Sequence, residues 1–442
     1  MNSLNTNERQ ILRDFAAKVA EIAADPIQEE RRNLWTRHNR LEKVGPLILC
    51  SPEGAWREIL PHDSLIIKDP FWAEVEWELK ALVRHFELLH DDRAIEPIIR
   101  IPNEITNTGW GMKTPRRGTG DPEHAWKWEP PLKDPKDLSK LHFPEIVYNE
   151  DEANRNLEAV QDAIGDLIEV RLRGCCWCTS IRSPIASCTA IGDLIEVRLR
   201  GCCWWNPASV IGYFAELRGM DQLMLDLYDR PEWVHEAMAF FSEGMHRLIR
   251  QAESMNLLDL NNREHFVGSG GLGYTDELPA LGFDGIHVRL KDTWGFAEAQ
   301  EVSEISPHMH EEFCLQYQIP LLEEFGLNCY NCCEDISRKF AGIKKVPRLR
   351  RVSVSPFTDR RIAAEELQDR YVYSWKPNPV VVAGDYDPDH IRRIIRETLE
   401  ITKGCVVEMI LKDTHTVQGQ PERLTVWTDI CREEIARARE RR

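Results

Sequence analysis

The sequence predicts an α/β fold built on a parallel sheet, and three observations carry that expectation. Short apolar runs alternate with longer stretches whose apolar residues recur at helical spacing. Each apolar run ends in a polar cluster, which is where βα architectures place their chemistry. The length of 442 residues fits one (β/α)8 barrel with additions. With seven or eight strand candidates, barrel and open sheet both remain possible on pattern alone.

Taken in order, Asn7–Ala24 reads as a helix with Ile11, Phe15, Val19 and Ile22 on one stripe, and Gln28–Lys43 as a second, charged helix. Residues 1–43 thus form a helical extension ahead of a barrel-like unit over 44–442. Val44–Cys50 is the first strand, bounded by Gly45-Pro46 and by Ser51-Pro52-Glu53-Gly54. Pro70–Leu89 is a Trp-rich helix. Ala94–Ile101 is the next strand, followed by Pro102-Asn103-Glu104. Asn107–Leu141 is a long insert rich in Gly, Pro and Trp, in which Trp110, Trp126 and Trp128 either cover a site or pack on the barrel. Asp151–Ile164 is helical.

Residues 163–177, A-I-G-D-L-I-E-V-R-L-R-G-C-C-W, recur unchanged at 190–204. Two copies fall short of the three or more units that a solenoid needs, so this is a local tandem duplication. The second copy leads into the helical stretch Asn206–Ile249, which makes it the expected barrel strand and the first copy surplus. Asn261–Pro279, with G-S-G-G-L-G-Y-T-D, lacks the G-K-[ST] of a phosphate loop and reads as a mobile active-site loop. Gly285–Leu290 is expected as a strand ending in Lys291-Asp292-Thr293-Trp294-Gly295. Ser306–Phe325 is a helix and Leu327–Cys329 a strand. Leu349–Val354 and Tyr371–Ser374 are strands, with the helix Arg360–Gln368 between them; Trp375-Lys376-Pro377-Asn378-Pro379 follows the second. The helix Asp387–Thr402, the strand Cys405–Leu411 with Lys412-Asp413-Thr414-His415 after it, and the helix Pro421–Ala438 complete the chain.

The formal net charge of −17 argues against a nucleic-acid footprint and against adsorption to anionic membranes. No run of about 18 apolar residues marks a membrane span, and the polar start M-N-S-L-N-T-N-E-R-Q carries no secretory pattern. With an odd count of 13 cysteines, reduced thiols or metal ligands are expected over a disulfide framework, in the cytoplasm.

Three of those cysteines fall within five positions in Gly326–Ile336, G-L-N-C-Y-N-C-C-E-D-I, where Cys329, Cys332 and Cys333 stand next to Glu334 and Asp335. Buried inert thiols are the plain explanation. Soft and hard ligand types within six residues at a strand end also fit a metal or catalytic site.

Over Asn206–Thr416 the chain resembles the uroporphyrinogen decarboxylase superfamily, which holds decarboxylases and corrinoid-dependent methyltransferases. Four stretches carry the resemblance: Leu223–Ala237 with its D-R-P-E, Asp292-Thr-Trp-Gly295, Ile305-Ser-Pro…Glu312-Phe313…Tyr317, and Lys376-Pro-Asn-Pro379. The resemblance implies a TIM barrel. The decarboxylases carry an Arg-Gln-Ala-Gly-Arg clamp after the first strand and an Asp after the second. Here those places read Ser51-Pro52-Glu53-Gly54-Ala55 and Pro102-Asn103-Glu104, which counts against a porphyrinogen substrate. The methyltransferases hold zinc with a His-x-Cys after a late strand and a Cys after the last. Here Tyr330-Asn331-Cys332 and His415 stand in those places.

The resemblance therefore implies methyl transfer between a small, possibly methoxylated molecule and a corrinoid on a separate protein. Zinc is expected on Cys332, Glu334 and His415, with Cys329 or Cys333 as alternates. Neighbours on an extended strand point to opposite faces, so Cys332 and Cys333 are not expected to bind equally. Asp292, Glu334 and His415 are the expected catalytic groups; Asp292 as a helix cap and His415 as a loop bridge are the plain alternatives. Asn103, Trp294, Trp375, Lys376 and Asn378 are the expected substrate contacts. Decarboxylation of a tetrapyrrole, or a non-catalytic tetrapyrrole- or corrinoid-binding barrel, are the competing functions.

Overall fold

The computed structural model describes residues 3–114, 116–117, 127–174 and 208–441. Helix α1 (Thr6–Ala24) starts at a capping box between Asn5 and Glu8. Helix α2 (Pro26–Asn39) follows, with Asp25 as its N-cap and Pro26 in its first turn. The stripe Leu12, Ala16 and Val19 of α1 shares a core with Val75, Leu79 and Val83 of α3 (Pro70–Leu89). None of the described helices is long and apolar enough to cross a membrane.

The strands that matter here are β1 (Leu47–Cys50), β2 (Ile98–Ile101), β3 (Glu169–Leu172), the short β4 (Phe266–Val267) and β5 (Gly271–Leu272), β6 (Trp294–Ala297), β7 (Leu327–Tyr330), β8 (Leu349–Val354), β9 (Val372–Trp375) and β10 (Val406–Leu411). Six of them form one parallel sheet in the order β1-β10-β9-β8-β7-β6. Strands β2 and β3 form a separate parallel pair. The α/β class and the parallel sheet are as expected. The closed barrel is not drawn by hydrogen bonds, because no backbone ladder joins the two sheets among the described residues.

Side chains do part of that work at the sheet edges. The free-edge N–H groups of Ile48 and Cys50 in β1 donate to Asp92 (2.7 Å) and Asp91 (2.9 Å). At the other edge the Asn261 amide both accepts from the Trp294 N–H (2.8 Å) and donates to the Trp294 carbonyl (3.1 Å). Edge groups that would be costly to bury unpaired are satisfied without another strand.

Alternation along the strands separates two faces. Ile48, Cys50, Tyr330, Val352, Val354, Tyr373, Trp375, Val407, Met409 and Leu411 point outward, into a core shared with α4 (Pro388–Ile401) and α5 (Glu422–Glu440). The inner face is filled by the β4–β5 hairpin. Val267 packs with Trp294, Phe296, Leu327 and Cys329, while Phe266, Leu272 and Tyr274 pack with Leu47, Leu49 and Ile410. Glycine is required at two positions: a Cβ on Gly268 (φ +61°) would lie 2.5 Å from Cys329 Cβ, and one on Gly271 2.4 Å from Arg351 Cζ. The stretch expected as a mobile loop is therefore a buried hairpin.

Three other expectations change. Gly285–Leu290 is not a strand; the strand begins later, at Trp294, because Gly285 and the Asp284 turn hold the earlier segment as exposed loop. Of the two roles open to Trp110, packing is the one seen: its ring lies against Tyr213, Phe240 and Phe241. Trp126, the side chain of Trp128 and the second copy at 190–204 lie outside the described residues. The first copy, expected as surplus, supplies β3: Ile98↔Glu169 through Ile101↔Leu172 is its register with β2, and Ile168 and Val170 join the core around α1 and α3.

Because the copies are identical, excising residues 178–204 or 163–189 yields one and the same chain. That chain keeps the β3 sequence and the segments on either side of it. Its melting temperature should stay within about 1 °C of the full-length protein, a shift that corresponds to roughly 1 kcal/mol for a chain of 442 residues. A larger drop, read by differential scanning calorimetry, would mean that the second unit contributes to the core.

Candidate functional site

The inner face carries a ladder of buried polar groups that rises toward the C-terminal strand ends. Arg351 of β8 and Glu408 of β10 are both fully buried. Arg351 Nε lies 3.0 Å from Glu408 Oε1, off the line of a hydrogen bond, so this contact is an ion pair. The guanidinium donates to Asn39 Oδ1 (2.8 Å) and to the Leu272 carbonyl of the hairpin (3.1 Å), and lies over the Trp294 ring. Glu408 also faces His38 Nε2 at 3.2 Å and accepts from Ser374 Oγ, which in turn accepts from Lys376 Nζ. Burial pushes the Glu408 carboxyl up, but Arg351, His38 and Lys376 outweigh it and hold it at about 2.

Above this ladder three strand ends turn sharply. Glu53, Asn331 and Asp413, which follow β1, β7 and β10, each have φ near +50° to +75° (46°, 75° and 56°). Non-glycine residues held in this region mark strain that surrounding structure must impose, and such strain collects at functional sites. At Asn331 the imposing bonds are visible: its amide donates to the Ser353 (2.8 Å) and Glu334 (3.3 Å) carbonyls, and its Oδ1 accepts from the Cys332 N–H (2.9 Å).

This turn brings the thiols of Cys332 and Cys333 to one side, with Sγ atoms 3.4 Å apart. The strand has already ended, so alternation no longer separates them. Ser269 Oγ, at the tip of the hairpin, donates to Cys332 Sγ at 3.4 Å. Lys412 Nζ lies 3.3 Å from Ser269 Oγ, 4.0 Å from Cys332 Sγ and 3.4 Å from Asp413 Oδ1. The Cys333 thiol, the Lys412 charge and Ser269 pull Cys332 below the usual thiol range, and Cys333 is pushed up as the proton-holding partner.

The acids nearby behave in the opposite way. Burial raises Glu53 and Glu298. Glu301, in the turn after β6, is pushed to about 8 by burial and by the neighbouring charge of Glu298. Its Oε2 is buried without a hydrogen-bond partner among the described residues. A carboxyl that keeps its proton at neutral pH thus shares the strand ends with a thiol held below its usual range, and the Cys332 charge is among those that raise Glu301.

The residues expected from sequence fare unequally. Cys332 and Lys376 are in the site, and Asn103 is buried at the end of β2, where it caps the Glu104 N–H at 3.0 Å. Asp292 is a correction: the strand starts after it, so it lies at the opposite end of the sheet, where it grips Arg289 (2.8 Å) and the Ala280 N–H (3.0 Å). Trp375 points outward into the helix-facing core. Trp294 is sealed beneath Arg351 and donates to the Gly273 carbonyl at 3.0 Å. Asn378 is exposed and caps the Val380 N–H at 3.0 Å.

The expected zinc set does not converge. Glu334 is turned away from the thiols, accepting from the Ala299 N–H (3.1 Å) and facing Lys339 Nζ (3.4 Å). His415 is exposed and sits against Gly54. Cys329 lies below the hairpin, against Arg351 (3.9 Å). Among the described residues no three His, Cys, Asp or Glu side chains are arranged to hold a metal ion.

Sequence reasoning missed Glu298, Glu301, Ser269, Lys412, Arg351 and Glu408. The signal for the last two was present, as a charge inside each of two apolar strand runs. Glu298 and Glu301 were hidden because the strand preceding them was placed too early.

No protein-family model matches the chain, and no curated protein matches it. Among solved structures it is similar to a methyltransferase from Methanosarcina mazei, with 11% identity over 91% of this chain and 98% of that one, at a TM-score of 0.49. At that identity and TM-score the likeness establishes neither a family nor a reaction.

Proposed function

We propose that this chain is a methyltransferase that takes the methyl group of a small methoxylated donor onto Cys332. The observation that carries the reading is a thiol held below its usual range, Cys332, at the same strand ends as Glu301, an acid that holds its proton at neutral pH. That pairing suits displacement at a methyl carbon bound to oxygen. The Cys332 thiolate forms the S–CH3 bond as the C–O bond breaks, and the Glu301 proton goes to the departing oxygen. Lys412 and Ser269 favour the thiolate form of Cys332.

The methyl group then leaves for a corrinoid on a separate protein, and the thiolate is restored. A corrinoid supplies a stronger nucleophile than any side chain. No step runs through zinc, because the residues expected to bind it do not meet. Decarboxylation of a tetrapyrrole is the weaker reading: the loop after β1 offers Glu53, and Arg57 there points back to the Gly54 carbonyl (3.3 Å).

The test is a single-turnover incubation of the full chain with methoxylated donors and no corrinoid. Mass spectrometry should find one added methyl group on the Cys332 peptide, removed on adding reduced cobalamin. A Cys332→Ser variant that transfers methyl groups to cobalamin as fast as wild type would overturn the assignment.

A further inference from the structure

Lys376 is a buried ammonium group that no carboxylate touches among the described residues; Glu408 acts on it only from a distance. It extends the inner face of β9 beyond Ser374, and its side chain is 3% exposed. Its hydrogen bond goes to Ser374 Oγ, which leaves two N–H donors. Among the described residues no carboxylate forms an ion pair with it. The acid that acts on it most strongly, Glu408, is already held by Arg351, His38 and Ser374. The neighbouring cation, Lys412, is matched by Asp413 and by the Cys332 sulfur. Burial pulls the Lys376 amine down to about 8, against the raising effect of Glu408. A buried cation without an anion is costly, and proteins keep one where a ligand completes it.

We infer that Lys376 anchors a carboxylate on the methyl donor, so that the substrate class is the small methoxylated carboxylic acids; this rests on the methyl-transfer reading. One unpaired cation matches one negative charge. Phosphate, a mixture of mono- and dianion at neutral pH, would bring up to two charges toward Cys332 and the Asp413 carboxylate. The two free N–H donors suit the two oxygens of a carboxylate. With the acid end held at β9, the methoxy end is free to reach toward Cys332 and Glu301, which project from the ends of β7 and β6.

The measurement is calorimetric binding to the full chain, using methoxyacetate, its neutral isostere methoxyacetamide, and inorganic phosphate. Methoxyacetate should bind at least ~10-fold more tightly than the amide. Lys376→Met should remove that preference and leave the affinity for the amide unchanged. If that variant does not fold, Lys376→Arg, which keeps a cation at the end of β9, should retain the preference for the acid, and its loss there would count against the anchor. Equal binding of acid and amide, tighter binding of phosphate, or a borohydride-stable adduct of Lys376 with a carbonyl compound would each overturn the anchor. Acid-selective binding without methyl transfer would keep the anchor and sink the methyl-transfer reading; methyl transfer indifferent to the carboxylate would do the reverse.

Discussion

Arg351→Met should destabilise the chain by about 3–5 kcal/mol, the usual effect of removing one partner from a buried ion pair. The substitution roughly preserves the stem that packs on Trp294 and removes the charge beside Glu408. It also frees Asn39 Oδ1 and takes one of two donors from the Leu272 carbonyl, which keeps the Asn39 amide; these bonds tie α2 and the hairpin to β8. What remains is a fully buried carboxylate supported by His38, Ser374 and Lys376 alone. The pH dependence gives an independent reading. A carboxyl held at about 2 in the folded chain, against an ordinary 4.5, contributes stability that is present above pH 4.5 and is lost as the pH falls toward 2. The wild type should lose stability through that window, and Arg351→Met should lose less. Adding Glu408→Leu to the variant should recover part of the loss, since an apolar pair of similar volume can replace a buried ion pair. Urea denaturation of the three chains decides the matter: a loss below about 1 kcal/mol in Arg351→Met would mean that the polar ladder does not hold the inner face.

That ladder also shows where sequence reading worked and where it stopped. The outer face was legible because Val407, Met409 and Leu411, or Val352 and Val354, recur at the period of a strand and pack against amphipathic helices. The inner face was not, because its filling comes from Phe266–Leu272, a stretch whose glycines read as a flexible loop. Those glycines serve close approach to Cys329 and Arg351, which only the assembled fold reveals. The site was half legible for a related reason. Cys332 stood out by composition, but its neighbours Ser269 and Lys412 come from strand ends more than 60 residues away. The left-handed turn at Asn331, which sets the two thiols side by side, depends on carbonyls of β8 and of Glu334 that no local pattern announces.

Glu301→Gln should lower methyl transfer by about 10²–10⁴-fold, the range for loss of a positioned general acid, while making the protein more stable at pH 8. The two effects have one cause. In the folded chain Glu301 keeps its proton up to about pH 8, whereas unfolded it ionises near 4.5. A carboxyl raised in this way contributes stability that is fully present below pH 4.5 and is lost as the pH rises through 8. Glutamine has no such titration, so the variant should gain melting temperature relative to wild type across that window, most clearly at its upper end. The wild-type rate should fall above pH 8 as Glu301 ionises, and the variant should lack that limb. A merely structural Glu301 would behave differently: its loss would lower the melting temperature, and the rate would fall only with the folded fraction. Gain of stability with loss of rate is the pattern of a group placed for chemistry against the preference of the fold. A Glu301→Gln chain that is less stable than wild type at pH 8, or that retains the basic limb of the rate profile, would remove Glu301 from the reaction.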